Sequence, residues 1–380
     1  VRAVSVSKIL SALCFFLPAG IASGQEATPS VLLDLPGGVQ DPTKIDYAKL
    51  PVIKGKHSVI CAADPMWRFQ LHNYLVHHEG KLWCMWSHGP AEDDPPQHIR
   101  YATSTDNGVT WSVSKVLAGP PKDGYAYIAR GFWLRDGELL ALVAHFKGRG
   151  AFGVNKELKL EAYAWEGTAW KFKTVLYNDA INSFPPGKLP TGDWMLTRRD
   201  SRFNVSMLIG GVKDLSDWRS VPIVKSLEIK GFRPDEPHWY EVAGGKLIAL
   251  FRDNGGSSRL YRSFSSDHGV TWTKPVLSNF PNATSKFFSI RTSKGYRVLV
   301  INANPSIGRR QLFVALSEDG ITYTQLVLLD IPSPRPGTLQ YPHVMEHDGE
   351  IYIALSRNKN ISELFKISLA DLEPFRRKKD

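Results

Sequence analysis

Ser265-Ser-Asp267-His-Gly269-Val-Thr271-Trp272 is the stretch from which the rest of the chain can be read. It returns as Ser104-Thr-Asp106-Asn-Gly108-Val-Thr110-Trp111, and in a copy one residue shorter as Ser317-Glu-Asp319-Gly320-Ile-Thr322-Tyr323. Short alternating runs flank each copy, such as Leu260-Tyr-Arg-Ser-Phe before the first and Pro275-Val-Leu after it. Gly supplies a positive φ and Asp accepts from the backbone of its own turn, so the pattern predicts a hairpin between two short strands. The closing aromatic sets a period: 51 residues from Trp272 to Tyr323, and 161 from Trp111 to Trp272, about three such steps. Weaker copies fill that gap at Trp170 and Trp218, and Phe375 stands one step beyond Tyr323. Six phases of about 52 residues, each with room for four short strands, predict an all-β, six-bladed β-propeller.

Three segments are expected. Residues 1–24 read as an export signal, with Arg2 and Lys8 ahead of an apolar run from Ile9 to Ala22 and small residues before Gln25. Residues 25–57 form a lead-in, either loop or an edge strand closing the ring, and residues 58–380 form the propeller. Removal of Arg2 and Lys8 takes the formal charge from +10 to +8, which favours an acidic partner such as a sialic or uronic acid glycan. Nucleic acid is excluded by the export signal and by the lack of a Lys/Arg run interleaved with aromatics. The expected product is a secreted or periplasmic monomer with no membrane association after processing. Cys61 and Cys84 survive processing, and export leaves both a disulfide and a pair of buried thiols open. No Cys-x-x-Cys or His-Glu-x-x-His occurs, so neither metal nor cofactor is expected.

Laid over one another, the phases align Arg68, Arg130, Ser183, Glu236, Phe288 and Tyr341 at the start of the innermost strand, where a propeller lines its central mouth. A second aligned set, about 15 residues later, holds His145, Arg198, Arg252, Asn302 and Arg357. Together they predict a cationic funnel at one end of the axis, suited to an anionic sugar.

Over roughly Ser58 to Leu372 the chain resembles bacterial sialidases and the wider group of sialidase-like propellers, whose Asp box is Ser-x-Asp-x-Gly-x-Thr-Trp. In that family the box is a structural turn on the outer rim, so Asp106, Asp267 and Asp319 are expected to hold turns rather than to catalyse. The resemblance implies a retaining exo-glycosidase acting on a terminal sialic acid or a similar acidic sugar. Three arginines, Arg68, Arg252 and Arg310 (with Arg309 as the alternate to the last), would bind the sugar carboxylate, for which planar, permanent charge is suited. Tyr341 would be the nucleophile, because a carboxylate in that role would be repelled by the substrate's own charge. Glu236 would be its base, and Asp93, beside Asp94 on an acidic loop, the acid/base. The family's usual Arg-Ile-Pro is replaced here by Trp-Arg68-Phe-Gln. That departure keeps three alternatives open: a polysaccharide lyase using Tyr341, His145 or His343 as base, a hydrolase of another acidic or deoxy sugar, and a carbohydrate-binding propeller without catalysis.

Overall fold

The computed structural model describes residues 30–333 and 337–377, and the expected export signal lies outside them. Six small sheets follow one another along the chain and make the six blades of a propeller. Blade one is Phe69–His78, Lys81–Gly89, His98–Ser104 and Lys115–Ala118; blade two runs from Tyr125–Arg135 to Trp170–Asn178. Blade three is centred on Trp194–Arg199 and Val205–Gly210, and blade four runs from Pro234–Glu241 to Val276–Pro281. Blade five runs from Phe288–Arg291 to Gln325–Asp330, and blade six carries Leu339–His347, Glu350–Arg357 and Ile361–Ser368. The outer strand of blade six is Lys56–Cys61 from the other end of the chain, antiparallel to Ile361–Ser368, and it closes the ring. Just before it, Val52–Lys54 adds a parallel fifth strand to blade five. The lead-in therefore supplies two edge strands, and the closing strand straddles the expected boundary after residue 57.

The second strand of a blade is covered on both faces by neighbouring blades, so it reads as a continuous apolar run rather than an alternating one. Leu139 to Ala144 and Arg297 to Ile301 are buried at every position. The hairpin after the third strand has the chemistry that its residues dictate. Ser265 Oγ donates to Asp267 (2.8 Å), the Gly269 N–H donates to Ser265 Oγ (2.9 Å), and Thr271 donates to Asp267 from both N (2.9 Å) and Oγ1 (2.5 Å). The Thr271 hydroxyl, then its N–H, hold the Asp267 carboxyl down at about 2, so the turn is built around an ionised acceptor. The copy at Ser104–Thr110 repeats the same bonds. Trp272 Nε1 donates to the Gly269 carbonyl (3.1 Å), and Trp218 Nε1 does the same to Leu215 (2.6 Å), which makes the weak copy a structural one.

Gly108 shows what the box demands. Its φ is +81°, and a Cβ there would stand 2.3 Å from Leu364 Cδ2 of blade six. Gly108→Ala therefore combines a left-handed backbone with overpacking, and should cost about 2–4 kcal/mol in denaturant unfolding. Gly137→Ala, at φ +87° but with nothing within 4 Å, should cost only about 1–2 kcal/mol.

Beneath the mouth the axis is filled with rings from five blades. Phe288 stacks near Phe184 (4.4 Å), His343 (4.6 Å) and His238 (4.7 Å), and His343 meets Tyr74 (5.2 Å). Cys61 and Cys84 are free thiols, which decides between the two options left open by their sequence positions.

Candidate active site

In three blades the innermost strand skips two residues in its pairing with the second strand. These are His72-Asn73 in blade one, Glu236-Pro237 in blade four and Tyr341-Pro342 in blade six. The first residue of each has a positive φ (61°, 41° and 57°), unusual for a side-chain-bearing residue and kept only where surrounding structure enforces it. Such a bulge re-aims a side chain, and proline at the second position has no N–H to lose from the ladder.

Arg252 lies opposite Asp235 in the blade-four register, beside the bulge. Its Nη1 donates to Glu236 Oε2 (2.7 Å) and reaches Tyr341 Oη (3.5 Å). Arg309 reaches the same tyrosine from a loop of blade five. Its Nη1 donates to Gln340 Oε1 (2.7 Å), its Nη2 to the Thr284 carbonyl (2.6 Å), and its guanidinium carbon lies 5.8 Å from the Tyr341 ring. Asp235 pairs with buried Arg199 and accepts from Asn254 (2.7 Å). Lys286, only 2% exposed, donates to the Tyr74 hydroxyl (2.7 Å) and sits 5.5 Å from the Tyr341 ring. His72 meets that ring edge-on at 5.1 Å and is tied to Ser87 Oγ (3.0 Å). Asp93 stands on the blade-one loop, which is pinned by its N–H donating to Gln97 (2.9 Å) and its carbonyl accepting from Gly150 (2.7 Å). Its Oδ1 is buried with no partner among the described residues.

These surroundings divide the acids. Burial pushes Asp93 up to about 6, with Arg130 opposing and Glu92 assisting. Burial acts on Glu236 in the same sense, but Arg252, with Lys286 and Arg199, outweighs it and takes the carboxyl down to about 2. Burial and then the Glu236 charge raise the Tyr341 phenol well above its usual range. Burial, with Arg130 and Lys286 nearby, drives His72 far below the usual imidazole range, so it is a neutral ring. Two carboxyls with separated affinities for protons, one of them linked through Arg252 to a phenol, form an arrangement able to do acid–base chemistry.

Of the residues expected from sequence, Tyr341, Glu236 and Arg252 meet, and Asp93 lies close enough to feel Arg130 and Arg199. Arg68 and Arg310 make no side-chain hydrogen bond or ion pair with them: both are exposed, and Arg68 precedes the first strand by one residue, with the bulge at His72. Arg309, the alternate, is the blade-five arginine at the tyrosine. Of the second aligned set, Arg198 turns away to Asp179 while its neighbour Arg199 enters the mouth, as alternation along a strand requires. Arg357 is consumed by Glu363 (2.7 and 2.9 Å). Lys286 also enters this site, two residues before Phe288 of the aligned phase.

A model of the BNR repeat-like domain matches residues 68–353. No curated protein matches the sequence. Among solved structures, a protein of unknown function from Dyadobacter fermentans is similar at TM-score 0.64 and 14% identity, over 82% of this chain and 98% of that one. A Trypanosoma rangeli sialidase, in a covalent intermediate with 2,3-difluorosialic acid, gives 0.61 and 15%, over 83% of this chain and 57% of its own. A Penicillium chrysogenum α-L-arabinanase complexed with arabinobiose gives 0.60 and 16%, over 83% and 98%.

Proposed function

We propose that this chain, which belongs to the BNR repeat-like domain family, is a retaining exo-glycosidase that removes a terminal sialic acid or a similar acidic sugar. The observation that carries the reading is the Arg252 guanidinium bonded to Glu236 while reaching Tyr341 Oη, at the axial mouth of a propeller of the sialidase and arabinanase type. The substrate carboxylate would take Arg252 and Arg309. Drawn towards that carboxylate, Arg252 loosens its hold on Glu236, whose basicity then rises towards the ordinary carboxylate range. Glu236 accepts the phenolic proton as Tyr341 Oη attacks the anomeric carbon, and Asp93 gives its proton to the departing oxygen. Water, deprotonated by Asp93, then displaces Tyr341 with a second inversion, and the proton returns from Glu236 to the phenolate.

Export through residues 1–24 is part of this proposal, checked by sequencing the N-terminus of the exported product, where Gln25 is expected. The activity test is release of fluorophore from a fluorogenic sialic acid glycoside, with the corresponding glucuronide and arabinofuranoside beside it. Release from an acidic glycoside supports the reading, and turnover of the neutral arabinofuranoside alone sinks it. The nearness of neutral His72 to Tyr341 favours one second reading, a lyase that abstracts a proton next to a carboxylate. Its mark would be an unsaturated product absorbing in the ultraviolet.

The acids also set a pH profile. Asp93 must enter protonated and Glu236 ionised, so kcat/KM should be level from about pH 4 to 5, then fall as pH rises through about 6, tenfold per unit beyond it. Initial rates at low substrate concentration read this directly. A limb rising through neutral pH would contradict Asp93 as the acid.

A further inference from the structure

Most of the charge at the mouth is already paired: Arg199 with Asp235, Arg252 with Glu236, and Lys359 with Glu92 across blades one and six. Arg309 is held by neutral oxygens of Gln340 and Thr284. Arg130 is different. It occupies the bulge between Ala129 and Gly131 on the innermost strand of blade two, it is 3% exposed, and its Nε and Nη1 have no hydrogen-bond partner among the described residues. A guanidinium buried with free donors is costly unless something bound there offsets it. Lys286 adds a second buried amine, whose hydrogen-bond partner is the Tyr74 hydroxyl, and burial with Arg130 and Arg199 nearby draws its proton affinity well below the usual lysine range. Asp93, raised by burial to about 6, is the carboxyl that Arg130 acts on, but it makes no hydrogen bond to the Arg130 Nε or Nη1. One substrate carboxylate at Arg252 and Arg309 would leave these buried guanidinium donors unanswered.

Position separates the two cationic groups. Blades two and five stand opposite each other in a ring of six, so Arg130 and Arg309 approach the axis from opposite sides. Arg252 and Arg309 reach Tyr341 directly, whereas Arg130 has no contact with it among the described residues and acts on Asp93, Tyr74, Lys286, His72 and Arg199. Arg130 is thus a blade-two arginine apart from the pair at the tyrosine.

We propose that Arg130 is the anchor of a second anionic subsite, so that the substrate carries two anionic groups: a carboxylate at Arg252 and Arg309, and a further sulfate ester or carboxylate at Arg130. This rests on the acidic-sugar reading above and narrows it to a doubly anionic glycan. The second group belongs either to the same sugar or to its neighbour across the cleaved bond, because Arg130 lies beside the acid that serves that bond.

Calorimetric titration of the full chain separates the cases. The probes are methyl glycosides of N-acetylneuraminic acid and of glucuronic acid, their mono-O-sulfated forms, and the two-carboxylate disaccharides of each acid. A doubly anionic probe should bind at least tenfold more tightly than its singly charged parent, and tighter binding of the sulfated monosaccharide or of the disaccharide tells which sugar carries the second group. Arg130→Met should erase most of that preference while weakening the parent far less, and Arg130→Lys should restore part of it. Equal affinity for single and double anions in the wild type overturns the inference and leaves the acidic-sugar reading standing, and it requires no folded variant. Equal loss for both probes in Arg130→Met, with near-ultraviolet circular dichroism unchanged, also overturns it. No binding of any acidic probe overturns both.

Discussion

Replacing Tyr341 with Phe is expected to lower kcat on an acidic glycoside by about a thousandfold or more, a barrier increase of about 4 kcal/mol, with KM shifted only a fewfold. The substitution removes one oxygen from a ring that stays packed against His72 and near Lys286 and Arg309, so the fold and the carboxylate site keep their shape. What disappears is the atom proposed to form the covalent bond. The raised phenol makes the expectation sharper. Tyr341 holds its proton so firmly that it is inert until Glu236 accepts, and Glu236 is a weak base while Arg252 grips it. The proton therefore moves only after a carboxylate has competed for Arg252. Glu236→Gln should for that reason lose nearly as much rate as Tyr341→Phe, and the double variant little more than either, since the two act as one unit. Single-turnover kinetics with a fluorinated acidic glycoside give a direct check: a covalent adduct should accumulate on the wild type, map to Tyr341 by peptide mass, and be absent from the Phe variant. Labelling of another residue would remove the tyrosine from its role.

The parts of this molecule that were readable in advance are those governed by short-range chemistry. The Asp box is closed by bonds spanning four residues or fewer, from Ser265, Gly269 and Thr271 to a single turn, so its letters carry its structure. Tyr341 and Glu236 were legible because they share one phase of the repeat and match the resemblance, and both stand at the bulge of the innermost strand. Blade one has His72-Asn73 at that bulge, four residues beyond Arg68, so the blade phase alone does not point to His72. A one-residue slip in register turns a strand side chain to the other face, so the aligned phase marks Arg198 while Arg199 enters the mouth. Arg309 and Arg310 both follow a turn through Gly308 at φ 64°, a backbone reversal that no charge pattern announces and that decides which of them meets the tyrosine. Lys286 was hidden most deeply, because a lysine reads as solvent-facing unless its surroundings are known, and these are Tyr74, Phe184 and Tyr341 from three other blades.

Those buried charges lead to the largest expected effect on stability. Asp235→Ala should lower the unfolding free energy by about 3–5 kcal/mol, the cost of leaving a buried guanidinium without its counter-charge. Asp235 does more than pair with Arg199. It accepts from Asn254 (2.7 Å) and from the Glu236 N–H (2.9 Å), and lies 3.8 Å from Arg252. With it gone, Arg199 and Arg252 must share Glu236, and Lys286 and Arg130 stand nearby with no further carboxylate but Asp93. The Arg199 side chain is 4% exposed, so water does not easily take over. The partner substitution separates pairing from packing. Arg199→Met with Asp235→Leu removes both charges and keeps apolar volume, and should recover most of the loss, as matched apolar replacements of buried pairs do. Equilibrium denaturation of the three variants decides the matter: a double variant as unstable as Asp235→Ala would mean that the aspartate acts through the Glu236 bulge and Asn254 rather than through the arginine. Activity should not recover with stability in the double variant, because Arg199 helps to hold Glu236 ionised beneath the tyrosine. A mouth able to bind anions and to keep one carboxylate charged at its floor needs this surplus of buried cations, and Asp235 is the residue that makes the surplus tolerable to the fold.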